Sequence, residues 1–394
     1  MPGKPGGVRS LASKTGRRVA SGAISKLRDF PGFERRVSDL FWSSDDGRRV
    51  RRQIAEQDRE IAFLKERLTS LSGEAEVSYG SPVFFVQGNQ KSGTTWLMKM
   101  LDAHPEVLCR GEGRPFGRNF SKAGRSGYPA ASLYNTLSSS EKLETWIKNS
   151  VWSKRDDPER HIDSLSGLAI EYFLKDKLLK SGKKFVGDKT VLLGPDVMKE
   201  VSRLTPRSKV IHIVRDGRDV AVSTTHHIWN QAEDRGGNTA ITPEQVSRRE
   251  AYERDPQSVI ASGGIFVEGW LERYAGRWSA LIQNNIRDGR EILGDNYTEV
   301  RYEDLIATPE REMARLFGFL GADQSPETVR SCVAAASFEK LSEGRKPGEE
   351  AASFFRKGIA GDWKNVFTER NKREFKAGAG RLLIDLGYEC DEGW

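Results

Sequence analysis

No apolar run in this 394-residue chain approaches the ~20 residues that a membrane-spanning helix needs; runs such as Val83–Val86 and Val210–Val214 are strand-sized. Cysteine is scarce. Cys109, Cys332 and Cys390 are odd in number and scattered, which argues against a disulfide framework and a cysteine-based zinc site and fits a reducing, cytoplasmic location. The five histidines form no H-x-x-x-H pattern and no dense aspartate set appears, so no metal is expected. The first 28 residues hold no acidic side chain. They carry Lys4, Arg9, Lys14, Arg17, Arg18, Lys26 and Arg28 among glycine, serine and alanine, with no apolar stretch that would make a secretory signal. That composition predicts a solvated tail over 1–30, with a transit-peptide-like role or contact to an anionic surface as the alternatives. The whole chain carries a net charge of +7, and no nucleic-acid partner is expected.

After the tail, residues 31–75 read as a helical segment. Ile54, Ile61 and Leu68 recur every seven residues, as do Val50, Gln57, Leu64 and Leu71, and charged residues lie mostly off that seam. About three heptads is the lower limit for a coiled coil. The pattern fits a homo-oligomer joined through residues 50–71 or a single helix packed on its own chain. A polar stretch from Gly73 to Gly80 marks the boundary of a third segment, residues 80–394. Here strand-like runs (Val83–Gln87, Phe185–Gly187, Lys209–Val214, Tyr297–Arg301) alternate with helical patterns, which predicts an α/β fold with a mostly parallel sheet and helices on both faces. Two glycine-rich polar stretches, 111–140 and 229–264, read as irregular walls of an acceptor pocket.

The chemistry starts at the end of the first strand. Lys91-Ser92-Gly93-Thr94-Thr95-Trp96 follows Val83–Val86 directly and precedes an amphipathic helix. Strand, glycine turn and helix N-terminus converge several backbone N–H groups on one point and make a phosphate cradle. A triphosphatase loop would place lysine after the second glycine. Gly88 and Gly93 have that spacing, but Thr94 follows and the lysine stands at Lys91. Farther on, the strand Val210–Val214 ends in Arg215, with Ser223 eight residues later. A third motif reads Phe355-Arg356-Lys357-Gly358-Ile359-Ala360-Gly361-Asp362-Trp363-Lys364-Asn365.

These three motifs, in this order, resemble those of the sulfotransferases that use 3′-phosphoadenylyl sulfate (PAPS), in the bacterial-type or carbohydrate-type variant. The resemblance implies transfer of a sulfuryl group to a hydroxyl or amine, with adenosine 3′,5′-bisphosphate released and no metal required. Lys91 would neutralise the leaving group, and Ser92, Gly93, Thr94 and Thr95 would hold the 5′-phosphate. Trp96 and Phe355 would flank the adenine, and Arg215, Ser223, Arg356, Lys357 and Gly358 would hold the 3′-phosphate. Asp362-Trp363-Lys364 and Tyr302-Glu303-Asp304 read as structural. Many members carry a K-T-H triplet whose histidine is the base. Here Lys189 and Thr190 match and Val191 replaces the histidine. Glu112 is then the expected base, with Asp188, Glu106 and His226 behind it, and Lys189 assists Lys91. The acceptor is left open among glycan, lipid and small-molecule alcohol. The competing readings are a P-loop kinase or triphosphatase, which lacks its lysine at position 94, and a non-catalytic coiled-coil scaffold with a nucleotide-binding domain.

Overall fold

The computed structural model describes positions scattered between 45 and 59, then residues 83–113, 115–116, 158–191, 194–349 and 356–394. Contacts divide the chain into two compact units, 1–74 and 75–394. In the first, the described positions are helical and exposed, Gln57 included. The 1–30 tail and the apolar heptad positions Val50, Ile54, Ile61, Leu64, Leu68 and Leu71 lie outside the described residues, as does the region 117–157.

The second unit is built on five parallel strands: β1 (Phe84–Gly88), β2 (Val107–Gly111), β3 (Phe185–Val191), β4 (Lys209–Val214) and β5 (Tyr297–Arg301), in the order β2-β3-β1-β4-β5. Alternation along β1 sends its side chains to two separate cores. Phe84 and Val86 join Ile211 and Ile213 of β4 under helix α1 (Thr94–Asp102). Val83 and Phe85 face the other way with Val210 and Val214. That second core is covered by α2 (Pro158–Ser181), α3 (Val197–Leu204) and α4 (Gly217–Asn230). Farther along, α5 (Pro243–Arg254) and α6 (Pro256–Ala261) lead to α7 (Trp270–Asp288), whose Leu271, Trp278 and Ile282 join the same core. The first core is closed by α8 (Tyr302–Ala307), α9 (Pro309–Leu320) and α10 (Pro326–Ala335); α11 (Phe338–Leu341) and α12 (Glu369–Asp385) complete the unit. The predicted parallel sheet with helices on both faces is therefore present.

The chain leaves β1 to build β2 and β3 on one side and crosses to build β4 on the other. Where a parallel sheet reverses direction in this way, the loops at the carboxyl ends of the strands splay apart and leave a crevice. The turn 89–93 and Arg215 both stand at that edge.

Two expectations are corrected. The segment bearing Val107-Leu108-Cys109, absent from the expected strands, is a strand buried against β3. The stretch 229–264 is largely helical. Thr242 and Gln245 form a reciprocal capping box at the start of α5, and Asp255 caps α6 by accepting from Gln257 and Ser258 N–H. Of the twelve residues of α5 only Arg249 and Tyr252 are buried, so the helix shows almost no apolar stripe. Among the described residues no helix is long and apolar enough to cross a membrane.

Gly187 sits directly opposite Phe84 in the sheet, and a Cβ there would lie 2.4 Å from the Phe84 ring. The ring fills the space that glycine leaves. Gly187→Ala should destabilise the protein by about 1–3 kcal/mol through overpacking. Urea denaturation of the full chain measures it; an unchanged midpoint would show that Phe84 can move aside.

Candidate active site

The turn after β1 is shaped by its neighbours. Gly93 is left-handed (φ 94°), and a Cβ on it would meet the Tyr302 ring at 2.5 Å, so close approach and backbone angle both require glycine. Lys91 is also left-handed, at φ 70°. The Ser92 N–H donates to Asn89 O at 3.1 Å, and Leu97 N–H donates to Gly93 O as α1 begins. The result aims the α1 N-terminus into a cavity of about 520 Å³.

That cavity gathers Lys91, Gly93, Thr94, Thr95 and Trp96 from the turn, Arg215 and Ser223 from β4 and α4, and Arg356, Lys357 and Gly358 from the C-terminal loop. Nearly every residue expected to hold the nucleotide is thus in one place. Ser92 is fully buried beneath the turn and does not line the cavity; Phe355 lies outside the described residues.

Arg215 holds the parts together. One guanidinium nitrogen donates to Lys91 O at 3.2 Å and another to Ile359 O at 3.0 Å, while its plane lies 4.2 Å from the Tyr302 ring centre. The loop carrying Arg356 and Lys357 is fixed by Asp219, which accepts from Gly361 N–H at 2.7 Å and Trp363 N–H at 2.9 Å. Asp362 pairs with Arg356 and with Lys357, the latter at 3.0 Å. Burial opposes ionisation of Asp362, yet these two cations hold its carboxyl below the usual range. Arg218 is buried between Trp363 and Trp394, at 3.7 and 4.4 Å from their rings, and forks onto Asp216. Glu303 accepts from Asp216 N–H and from the Tyr388 hydroxyl, both at 3.0 Å. The motifs read as structural, Asp362-Trp363-Lys364 and the Glu303 position, do anchor the site.

Burial, with the charges of Arg215 and Arg356 added, brings the Lys91 ammonium down to about 8. Two buried atoms, Ser92 Oγ beneath the turn and Arg215 Nε, make no hydrogen bond among the described residues.

Sequence reasoning missed the apolar half of the cavity. Tyr302, Leu305, Ile306, Val333, Phe338 and Leu341 line it together with Trp96. The Trp96 indole N–H donates to Ala336 O at 2.9 Å, and its ring meets Tyr302 edge-on at 5.7 Å. Gly358 is left-handed (φ 64°), and a Cβ on it would lie 2.2 Å from the Phe338 ring. Its signal in the sequence was slight: Ser337 caps the short α11 immediately before Phe338.

The acceptor-side residues fall elsewhere. Lys189 is buried on β3 and pairs with Glu112, which follows β2; neither lines the cavity. Burial pushes the Asp188 carboxyl up to about 7, while the Gly113 N–H it accepts, at 3.1–3.2 Å, works against that rise. Glu106 and His226 do not line the cavity either. Glu106 precedes β2 at the opposite, amino end of the sheet, paired with Lys184. His226 is buried edge-on against Trp229 and Tyr252, with centroids at 5.2 and 5.1 Å. Among the described residues no group of three or more His, Cys, Asp or Glu is placed to hold a metal ion.

Asp219→Ala should leave the Gly361 and Trp363 donors unsatisfied, at about 1–3 kcal/mol each. The full chain should lose stability in denaturant and become cleavable by protease near residues 356–361. Resistance equal to wild type would show that the loop is held without Asp219.

Comparison with known proteins agrees with this geometry. A family model described as a sulfotransferase domain matches residues 188–387, and a second, described as a sulfotransferase family, matches 82–261. Rat sulfotransferase 1A1 is 27% identical over 198 residues, covering 48% of this chain and 60% of that protein. Flavonol 3-sulfotransferase of Flaveria bidentis is 29% identical over 184 residues, 43% of this chain and 52% of that protein. The chain thus matches about half to three-fifths of these relatives' length. Among solved structures, mouse sulfotransferase complexed with PAP has a TM-score of 0.42 at 17% identity, covering 77% of this chain and 84% of that one. The sulfotransferase domain from the curacin biosynthetic pathway has a TM-score of 0.43 at 18% identity, with 78% and 98% covered. The sulfotransferase-domain match alone takes in just over half of the 394 residues, and this chain belongs to the sulfotransferase family.

Proposed function

We propose that the chain transfers a sulfuryl group from PAPS to an acceptor hydroxyl. One observation carries the reading: a single cavity is lined by five cationic side chains, a helix N-terminus and the aromatic rings of Trp96, Tyr302 and Phe338. That set matches a ligand with phosphates at two positions of a sugar and a flat base beside them. Arg215, which lines the cavity, has a buried Nε without a partner among the described residues, a further donor suited to an anion.

The residues divide the work by position. Thr94 and Thr95, with the N–H groups at the start of α1, cradle the 5′-phosphate. Arg215, Ser223, Arg356, Lys357 and Gly358 take the 3′-phosphate, through guanidinium forks, a hydroxyl and backbone. Trp96 and Phe338 enclose the adenine; Phe355, expected there beside Trp96, lies outside the described residues. The donor supplies a sulfuryl group on a phosphate leaving group. Lys91, held in the turn, places its ammonium where negative charge develops as that bond breaks. Glu112 and Lys189 belong to the acceptor side, where the ion pair fixes the Lys189 ammonium at the end of β3, next to β1. The acceptor is a glycan, lipid or small-molecule alcohol. Self-association through residues 50–71 and contact of the 1–30 tail with an anionic surface complete the proposal for the N-terminal region.

Arg215→Ala should weaken adenosine 3′,5′-bisphosphate by about 1.5–3 kcal/mol and leave 5′-AMP almost unaffected. Titration calorimetry of both nucleotides measures this, and equal losses would contradict the 3′-phosphate assignment. Lys91 acts as a cation, and its ammonium is brought down to about 8 by burial and by its two arginine neighbours. The active form is therefore present below that value and lost above it. The kcat/KM for PAPS, which reports the free enzyme, should decline as pH rises through about 8. A profile that stays flat through that range would show that the Lys91 charge is not required.

A further inference from the structure

The sulfuryl-transfer reading needs a group that takes the acceptor's proton, and the expected histidine is Val191. Glu112 is engaged by Lys189, so part of its capacity to accept a proton is already used. We infer that His227, on the last turns of α4, is the general base, an inference that rests on the transferase reading.

The placement follows from the helix. Ser223 lines the nucleotide cavity, and His227 lies four residues on, so the two share one face about 6 Å apart along the axis. The neighbouring helix turn is tied to the phosphate loop. The Tyr274 hydroxyl of α7 makes hydrogen bonds with Thr224 and, at 3.4 Å, with Asn89 Nδ2. His227 is half-buried at this corner, within the field of the Lys91 ammonium. Burial first, and Lys91 second, hold its imidazole below the usual range. The other charged groups around the corner, Arg215 and Arg277, act on Tyr274 and are also cations. A free imidazole is therefore the resting form at neutral pH, which is the form a base requires.

The remaining histidines are committed elsewhere. His104 bonds to Asp323 O at 3.0 Å and packs on Phe317; His212 is buried in β4, 2.7 Å from the Tyr297 hydroxyl. His226 is enclosed by Trp229 and Tyr252, and His161 opens α2.

In the reaction, the acceptor oxygen gives its proton to the unprotonated imidazole nitrogen of His227 as it forms the new O–S bond. The bond from sulfur to the bridging oxygen breaks, and its electron pair stays on the 5′-phosphate, where Lys91 stabilises the charge. The products are the sulfate ester, adenosine 3′,5′-bisphosphate and an imidazolium that returns its proton to water.

The test uses the full chain with His227→Asn, His227→Gln and Glu112→Gln. Sulfur-labelled PAPS is the donor, 2-naphthol and water are the acceptors, and calorimetry follows adenosine 3′,5′-bisphosphate. Both His227 variants should bind the bisphosphate as wild type does while kcat falls roughly 10²–10⁴-fold, and added imidazole should restore part of the rate to His227→Asn. Turnover of the His227 variants within a few-fold of wild type overturns the inference, and a collapse confined to Glu112→Gln would assign the base there. Loss of bisphosphate binding in both His227 variants also overturns it, because the residue would then be structural. A wild-type chain that does not bind the bisphosphate removes the transferase reading itself.

Discussion

The site depends on one buried carboxylate. Asp219 lies on the first turn of α4, four residues after Arg215, and accepts two backbone N–H groups from a loop more than 140 residues away in sequence. Those two bonds bring the C-terminal loop to the carboxyl edge of the sheet. Burial pushes the Asp219 carboxyl up, and the Arg215 guanidinium and the two N–H donors act against that rise. Without this anchor the cations at 356 and 357 would be an exposed loop feature with no fixed relation to Lys91. With it, charges from three distant segments face one concave volume, and there each is worth more than on a flat surface.

How much could be read beforehand depended on where each contact begins and ends. β1, β4 and β5 were legible because a short apolar or alternating run bounded by turn residues specifies a strand locally. β2 was not, since three apolar residues become a strand only once β3 lies beside them. The helix α5 was hidden by its polarity, although Thr242-Pro243 and Gln245 spelled a capping box that composition alone overlooked. Within the site, the phosphate-facing residues were legible because each motif presents its own backbone and charge. The apolar wall was illegible for the opposite reason. Trp96 finds its partner at Ala336, 240 residues on, and nothing near Phe338 in the chain marks it as a ligand surface.

The cavity also separates two ways of keeping a cation. Arg356, Lys357 and Arg218 are neutralised by carboxylates within their own loop or turn. Arg215 is steadied mostly by carbonyls and the face of Tyr302, contacts that fix its direction while leaving its charge less fully cancelled. A strand tip held this way is rigid and still strongly attractive to an anion. The same design explains why Gly93 must be glycine: the tyrosine that supports Arg215 also presses on the turn that carries Lys91.

Lys91 combines a left-handed backbone with a desolvated ammonium facing two guanidinium groups. The backbone conformation costs a non-glycine residue about 1–2 kcal/mol, and the electrostatic cost comes in addition. An anion seated among those charges relieves the second cost, so the folded state and the liganded state are thermodynamically linked. The fraction of this protein that survives heat or proteolysis should then rise with the concentration of any anion that the site accepts.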